Sequence, residues 1–233
     1  MVVGNFGSGK TELSVNLAFF YAEQGLKVSI ADLDIVNPYF RCREARVQME
    51  EQGIRVVVPP EKLTWADLPV IVPEIKGMLE AAEGAVSIFD VGGDDVGARL
   101  LSTLVEALGQ RPYELWQVIN ARRPFTDSVA GCLEMRRRIE AASRLKVTAF
   151  VGNTHLVTET NEDVIIGGLE LSRQAAQAAG LPLLFITAME DLAASSRLAA
   201  SDVPVFPLRR HLLPPWIRPR EGARPALKPI GRP

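Results

Sequence analysis

A lysine and a threonine that close a short glycine-rich run are the first residues here able to do chemistry: Gly4-Asn5-Phe6-Gly7-Ser8-Gly9-Lys10-Thr11. The spacing is G-x-x-x-x-G-K-[ST], in which each fixed position has a task toward polyphosphate. The glycines let the backbone turn tightly and aim several N–H groups at one point, a nest for phosphate oxygens. Lys10 places a mobile ammonium near the β- and γ-phosphates, and the Thr11 hydroxyl suits Mg2+. Glu12 follows in the first turn of a helix whose amino end points partial positive charge the same way. Gly4, Asn5, Phe6, Gly7, Ser8, Gly9, Lys10, Thr11 and Glu12 are therefore the candidate nucleotide-binding residues at this end. Gly4, Gly7 and Gly9 do not fit G-x-G-x-x-G, which excludes the dinucleotide fingerprint.

Two later stretches bring acids to such a site. The apolar run Lys27 to Ala31 delivers Asp32-Leu33-Asp34. Asp32 is assigned to orient water, or a water bound to Mg2+, and Asp34 to anchor the loop. The run Ala85 to Phe89 ends in Asp90, which is placed to hold Mg2+ through water. Thr11, Asp32 and Asp90 are thus the expected metal residues, and Lys10 and Asp32 the expected catalytic ones. Val91-Gly92-Gly93-Asp94-Asp95 reads as a switch loop, with the Gly93 N–H meeting a γ-phosphate and Asp95 capping the next helix. Late in the chain, Gly152-Asn153-Thr154-His155 puts Asn153 where it can hydrogen-bond a purine ring; His155 reads as a loop histidine with satisfied partners. Arg122 and Arg123 stand after a strand, suited to phosphate or to structural ion pairs.

The elements that must position these residues alternate. Strands are expected at 27–31, 54–58, 85–89, 113–119, 146–151 and 183–187, the last of them, after a strand end at Met1 to Val3. Helices are expected at 11–24, about 40–52, 75–83, 96–108, from a cap at Thr126 or Asp127 to 142, and up to Ala179 with Gly167-Gly168 as a kink. Such alternation predicts an α/β fold, a doubly wound and mostly parallel sheet between helix layers, with ligands at its carboxyl edge. Asn37-Pro38 breaks regular structure, its aromatic neighbours suit docking, and Trp65 lies in a Pro-rich connection.

Composition bounds the rest. The chain has 233 residues, 47% of them hydrophobic, enough for one α/β domain over 1–208. Residues 209–233 form a basic, Pro-rich tail. Half of the sixteen prolines fall between Pro204 and Pro233, and the tail is about +6 against a body of about −8. The net charge of −2 makes nucleic acid an unlikely partner, and no apolar run reaches membrane-spanning length. No signal peptide precedes the loop, and the starting Met is nearly flush with the first strand, so a clipped or misassigned start is expected. Cys42 and Cys132 form no C-x-C or C-x-x-C pair, which fits a reducing cytoplasm and argues against an intrinsic metal cluster.

Taken together, the phosphate loop, the turn Ala-Asp-Leu-Asp-Ile-Val-Asn-Pro-Tyr, the loop Phe-Asp-Val-Gly-Gly and the late Val-Gly-Asn-Thr resemble the ParA/MinD/CobQ-type nucleotide-binding ATPases over roughly residues 1–208. The resemblance implies a P-loop NTPase sandwich of three layers that binds Mg·ATP, often as a face-to-face homodimer, and signals to a protein partner. It implies Lys10 and Thr11 as phosphate and Mg2+ contacts, Asp32 as the water-positioning residue, Asp90 behind the metal and Asn153 as the base reader. The partitioning members carry a signature lysine one residue after the first glycine; here that position is Asn5. Either another cation, among Arg41, Arg43, Arg122 and Arg123, takes its place, or the nucleotide-sandwich dimer does not form in the usual way. Three functions follow: an ATPase switch acting on a partner protein, a small-molecule kinase or ligase of the dethiobiotin synthetase or cobyrinate amidase kind, and a module that holds nucleotide without hydrolysis.

Overall fold

A computed structural model describes residues 1–34, 45–58, 73–80, 84–93 and 95–212. The expectations for Asn37 to Arg43, Trp65, Asp94, the Asp95 side chain and the tail beyond Leu212 lie outside what it describes.

Among the described residues, eight strands form one sheet, and every pairing is parallel. They are β1 (Val2–Gly4), β2 (Lys27–Leu33), β3 (Arg55–Val57), β4 (Ala85–Val91), β5 (Trp116–Ile119), β6 (Ala149–Gly152), β7 (Leu183–Met189) and β8 (Val205–Leu208). Their spatial order is β3-β2-β4-β1-β5-β6-β7-β8. From β1 the chain steps to β2 and then β3, returns to lay β4 between β2 and β1, and crosses to β5 before running outward to β8, so the loop after β1 opens where the strand order reverses. That is where open parallel sheets leave a crevice for ligands.

The helices between the strands are α1 (Lys10–Glu23), α2 (Arg46–Glu51), α3 (Pro73–Leu79), α4 (Asp95–Ser102), α5 (Val105–Leu108), α6 (Val129–Ser143), α7 (Glu162–Ala179), α8 (Glu190–Ala193) and α9 (Ser196–Ala199). Successive strand residues go to opposite faces, and both faces are covered. Val3, Ala31, Phe89, Ile119 and Phe150 pack on one side, with Leu101 of α4 and Ile139 of α6. Val2, Ile30, Ile88, Val118 and Val151 pack on the other, with Leu13 and Leu17 of α1. A sheet buried on both faces needs apolar residues in unbroken runs, and these strands supply them. Each fully buried Leu, Ile or Phe contributes about 1.5–3 kcal/mol before chain entropy is counted.

Four details depart from the periodicity. β8 is an additional strand beyond β7; Pro207 masks it in the sequence, yet Pro is tolerated on an edge strand, and β8 is the edge. The helix expected over 96–108 is two, because the Ser102 and Thr103 hydroxyls donate to the Arg99 and Leu100 carbonyls and draw the chain out of the helix. The cap of α6 is Ser128, whose Oγ accepts from the Gly131 nitrogen. Helix α7 runs unbroken through Gly167-Gly168; a Cβ at Gly168 would collide with the Thr154 side chain, so close packing explains that glycine.

Candidate functional site

Between β1 and α1 the chain makes a compact loop held by its own atoms. The Asn5 carbonyl accepts from the Ser8 nitrogen at 3.2 Å and from Lys10 Nζ at 3.0 Å. The Asn5 side-chain oxygen accepts from the Phe6 nitrogen at 2.8 Å. Gly7 and Gly9 have φ of 68° and 82°, the left-handed region that other residues enter at a cost. Gly9 is the residue capping α1 and has no side chain to offer its first turn. The N–H groups of that turn are therefore left without a side-chain cap, as an anion site requires. Lys10 and Thr11 are buried, and Ser8 Oγ is fully buried with no hydrogen-bond partner among the described residues.

Asp32 and Asp90 meet beside this loop. They are direct register partners on β2 and β4, and both are buried. The Asp34 nitrogen donates to Asp32 Oδ1 at 3.1 Å, which tucks the chain after β2 back onto its own strand end. Ser14 Oγ donates to Asp90 Oδ1 at 3.4 Å, whereas Asp90 Oδ2 has no hydrogen-bond partner among the described residues. Burial pushes the Asp90 carboxyl well above the usual carboxylate range, and the Asp32 charge pushes it the same way; Lys10 and a Thr11 hydrogen bond oppose them. The loop after β4 lies across the phosphate loop: a Cβ at Gly93 would stand 2.9 Å from Lys10 Nζ and 2.9 Å from the Phe6 nitrogen. Gly92 packs in the same way against Asp34.

This donor set fits Mg2+. Crowded carboxylates around one ammonium, a threonine hydroxyl and an orphaned carboxylate oxygen form a dry, oxygen-rich and electronegative corner. Among the described residues no group of three or more His, Cys, Asp or Glu could hold a metal by itself. Mg2+ commonly uses one or two protein oxygens and completes its shell with water and phosphate.

Behind the loop stands a row of polar residues from the carboxyl ends of β5, β6 and β7. Asn120 Nδ2 donates to the Gly7 and His155 carbonyls, and its Oδ1 accepts from the Arg122 and His155 nitrogens. Asn153 Nδ2 donates to the Ser8 carbonyl at 2.6 Å, and Asn153 Oδ1 accepts from Thr187 Oγ1. Both ends of the Asn153 amide are thus engaged inside the protein, which leaves one N–H and one lone pair for any contact with a base. His155 lies against Gly9, and burial together with the Arg123 and Arg210 charges lowers its pKa to about 4, so the ring is neutral near pH 7. Arg123 Nε donates to the Gly7 carbonyl at 3.1 Å, while Arg122 is exposed.

Glu12 faces away from the loop. Its carboxylate accepts from the backbone nitrogens of His211 at 2.6 Å and Leu212 at 3.3 Å. One turn on, the Asn16 side chain both donates to the Arg209 carbonyl and accepts from the Arg209 nitrogen. Another turn on, Phe19 stacks on the His211 ring with centroids 4.5 Å apart. Positions 12, 16 and 19 share one helix face, so residues 209–212 run along α1 toward its amino end.

Gly4, Asn5, Phe6, Gly7, Ser8, Gly9, Lys10, Thr11, Asp32, Asp90, Gly93 and Asn153 therefore gather at one place. Asn120, Thr187 and the Asn5–Pro124 contact were not expected. Asn120 carries the signal that marked Asn153, an asparagine at the carboxyl end of a strand; the other two have none, since their partners are distant in sequence.

No protein-family model matches the chain, and no curated protein matches it. Solved structures do. The cell division protein FtsY of Thermotoga maritima is 22% identical with a TM-score of 0.54, over 80% of this chain and 60% of that one. The signal recognition particle receptor FtsY of Elizabethkingia anophelis, in complex with GDP, is 20% identical with a TM-score of 0.53, over 80% and 56%. The signal recognition particle 54 kDa protein of Aeropyrum pernix, also in complex with GDP, is 22% identical with a TM-score of 0.54, over 79% and 40%. The chain thus spans 60% or less of the length of these structures. Identities this low speak for the fold alone, and with the loop geometry above they give this chain the parallel α/β fold of the P-loop NTPases.

Proposed function

We propose that the chain binds Mg·ATP at the Gly4–Thr11 loop, hydrolyses it slowly, and acts as a nucleotide-driven switch on a partner protein. The observation that carries this reading is the packing of Gly93 on Lys10 and Phe6. The loop after β4 rests on the loop that would hold the phosphates, so occupancy of one moves the other. A terminal phosphate has to share the space beside Lys10 with Gly93, and its loss on hydrolysis empties that space.

The roles follow from the geometry. Lys10 leaves the Asn5 carbonyl for phosphate oxygens, and the backbone N–H groups of Gly7 to Thr11 hold the remainder. Thr11 would hold Mg2+, with Asp90 and Asp32 holding its waters; bound there, the ion neutralises charge on the β- and γ-oxygens. Asp32 orients the attacking water. Catalysis of this kind is positioning and electrostatics with little covalent work for the protein, which supports slow intrinsic turnover.

Adenine over guanine, the ParA/MinD kinship and a homodimer as one form of the partnership rest on the motif resemblance, and a cytoplasmic location rests on the cysteine usage. No described helix is long and apolar enough to cross a membrane. Titration of the full chain with Mg·ATP and Mg·GTP, followed by phosphate release, tests the reading. Tight Mg·ATP binding with slow turnover that a protein partner stimulates supports it. Stimulation by a small carboxylate or amine instead identifies a metabolic enzyme, and no association with either nucleotide overturns the proposal.

A further inference from the structure

We propose that Arg123 supplies, from within the same chain, a second cation for the terminal phosphate of the bound nucleotide, and that Asn5 is the residue that positions it. The inference rests on the nucleotide-binding reading above and deepens it.

Asn5 is buried and touches three things at once. Its amide Nδ2 donates to the Pro124 carbonyl at 2.6 Å, its Oδ1 accepts from the Phe6 nitrogen at 2.8 Å, and its carbonyl takes Lys10 Nζ at 3.0 Å. The tie to Pro124 spans 119 residues of sequence and draws the segment after β5 onto the phosphate loop. Thr126 Oγ1, fully buried, secures the same segment to the Asn120 carbonyl at 2.9 Å. The residue before Pro124 is Arg123, and the tie seats its guanidinium across Gly7.

Gly7 accommodates that approach for lack of a side chain. A Cβ there would stand 2.7 Å from Arg123 Nε, 2.8 Å from Cζ and 3.1 Å from Nη2. Nε donates to the Gly7 carbonyl at 3.1 Å, which fixes the plane of the guanidinium and leaves its terminal nitrogens on the outer edge. A planar fork held by one nitrogen and presenting two is the geometry in which arginine grips phosphate through paired hydrogen bonds.

The two ends of the loop differ, and the difference selects the phosphate. Ser8 and Gly9 lie against Asn153 and His155, whereas Asn5 and Phe6 lie against the Lys10 ammonium and Gly93. The terminal phosphate belongs at the lysine end, and the Asn5–Pro124 tie anchors there the segment that carries Arg123, whose guanidinium lies over Gly7 in the middle of the loop. The charge balance asks for it. Asp90 interacts with Lys10 and with the charges of Asp32 and Asp34, so the loop lysine already serves a cluster of carboxylates. The position that holds a lysine in the partitioning ATPases holds an uncharged amide here, and that amide recruits a charge from 118 residues downstream.

The test is the preference for triphosphate over diphosphate, measured as dissociation constants for Mg·AMPPNP and Mg·ADP on the full chain. Arg123→Gln keeps a donor toward Gly7 and removes the charge. It is expected to weaken AMPPNP about tenfold or more, as the loss of a charge-assisted hydrogen bond does, with ADP held within about threefold. Arg123→Lys recovers part of that loss. Asn5→Ala reproduces the Gln variant, and the double variant is no worse than either single one. The preference does not change with protein concentration, because the charge comes in cis. An unchanged preference in Arg123→Gln overturns the inference. So does a parallel loss of both nucleotides with a lowered melting temperature before ligand is added, which marks a purely structural tie. So does a preference that grows with concentration. These outcomes leave the nucleotide-binding reading standing, whereas a wild-type chain that binds neither ligand removes both.

Discussion

Asp32 on β2 and Asp90 on β4 are register partners on adjacent parallel strands, side by side and buried at the carboxyl edge of the sheet. Like charges directly opposite each other in a sheet are destabilising, and burial of both carboxyls weakens the screening that bulk solvent gives. The Lys10 ammonium and the raised affinity of Asp90 for a proton relieve part of that repulsion, and a bound cation would relieve more. Asp90→Asn is therefore expected to leave the ligand-free protein as stable as the wild type or more stable by about 1 kcal/mol. The same variant loses the gain in nucleotide affinity that Mg2+ confers. Denaturant unfolding without ligand, beside nucleotide titrations with and without Mg2+, measures both; a variant that is destabilised yet keeps its Mg2+ response contradicts the assignment.

Lys10 is held on the Asn5 carbonyl with its stem buried in the loop. Lys10→Ala removes the ammonium with little change to the loop's backbone bonds. Nucleotide affinity should fall by about 10- to 100-fold, as for lost charge-assisted hydrogen bonds, and turnover should vanish. Calorimetric titration reads the first and phosphate release the second. Retained affinity would mean that the loop does not hold the phosphates.

Asn153 separates support from recognition. Its amide joins the Ser8 carbonyl to the Thr187 hydroxyl inside the protein. Asn153→Ala leaves both without that partner and should cost about 1–3 kcal/mol of stability before any nucleotide is added. A residue that only reads a base would show the opposite pattern, with stability intact and the preference among bases altered. Unfolding curves of the ligand-free variant, with ATP and GTP titrations alongside, distinguish the two.

The His155 ring is held neutral by burial and by the charges of Arg123 and Arg210, with a pKa of about 4 against the ordinary 6.5. A group whose pKa is lowered on folding stabilises the fold above its unfolded value, and that contribution is lost as pH falls through the window from 6.5 toward 4. Stability should drop on the order of 1–2 kcal/mol from this group as pH goes from about 7 to about 5. His155→Gln should flatten that part of the profile. Melting temperatures across the range, wild type against variant, check it; identical slopes would rule out the assignment.

Local signals made the phosphate loop and the two acid-bearing strands legible in the sequence, because each is a short run of fixed types: glycines at set intervals, and apolar residues ending in Asp32 or Asp90. The sheet followed from the alternation of such runs. What escaped was either masked by a single residue, as Pro207 masked β8, or made by residues far apart. Asn5 and Pro124 are 119 positions distant, and Ser8 and Asn153 are 145, so nothing near either one announces the other. The split between α4 and α5 turns on two hydroxyls returning to the backbone, a competition that helical spacing does not register.

The lacing of residues 209–212 onto α1 bears on how the protein should be cut. Composition invites truncation after Leu208, where the arginines begin. A chain ended there would strip Glu12 of both backbone donors in a half-dry setting, where burial already pushes its carboxyl upward, and would leave the Asn16 amide only its bond to the Glu12 carbonyl. Both residues belong to the helix whose first turn carries Lys10 and Thr11. Shortened versions made for crystallisation or labelling keep their amino-terminal helix braced only if they retain Leu212.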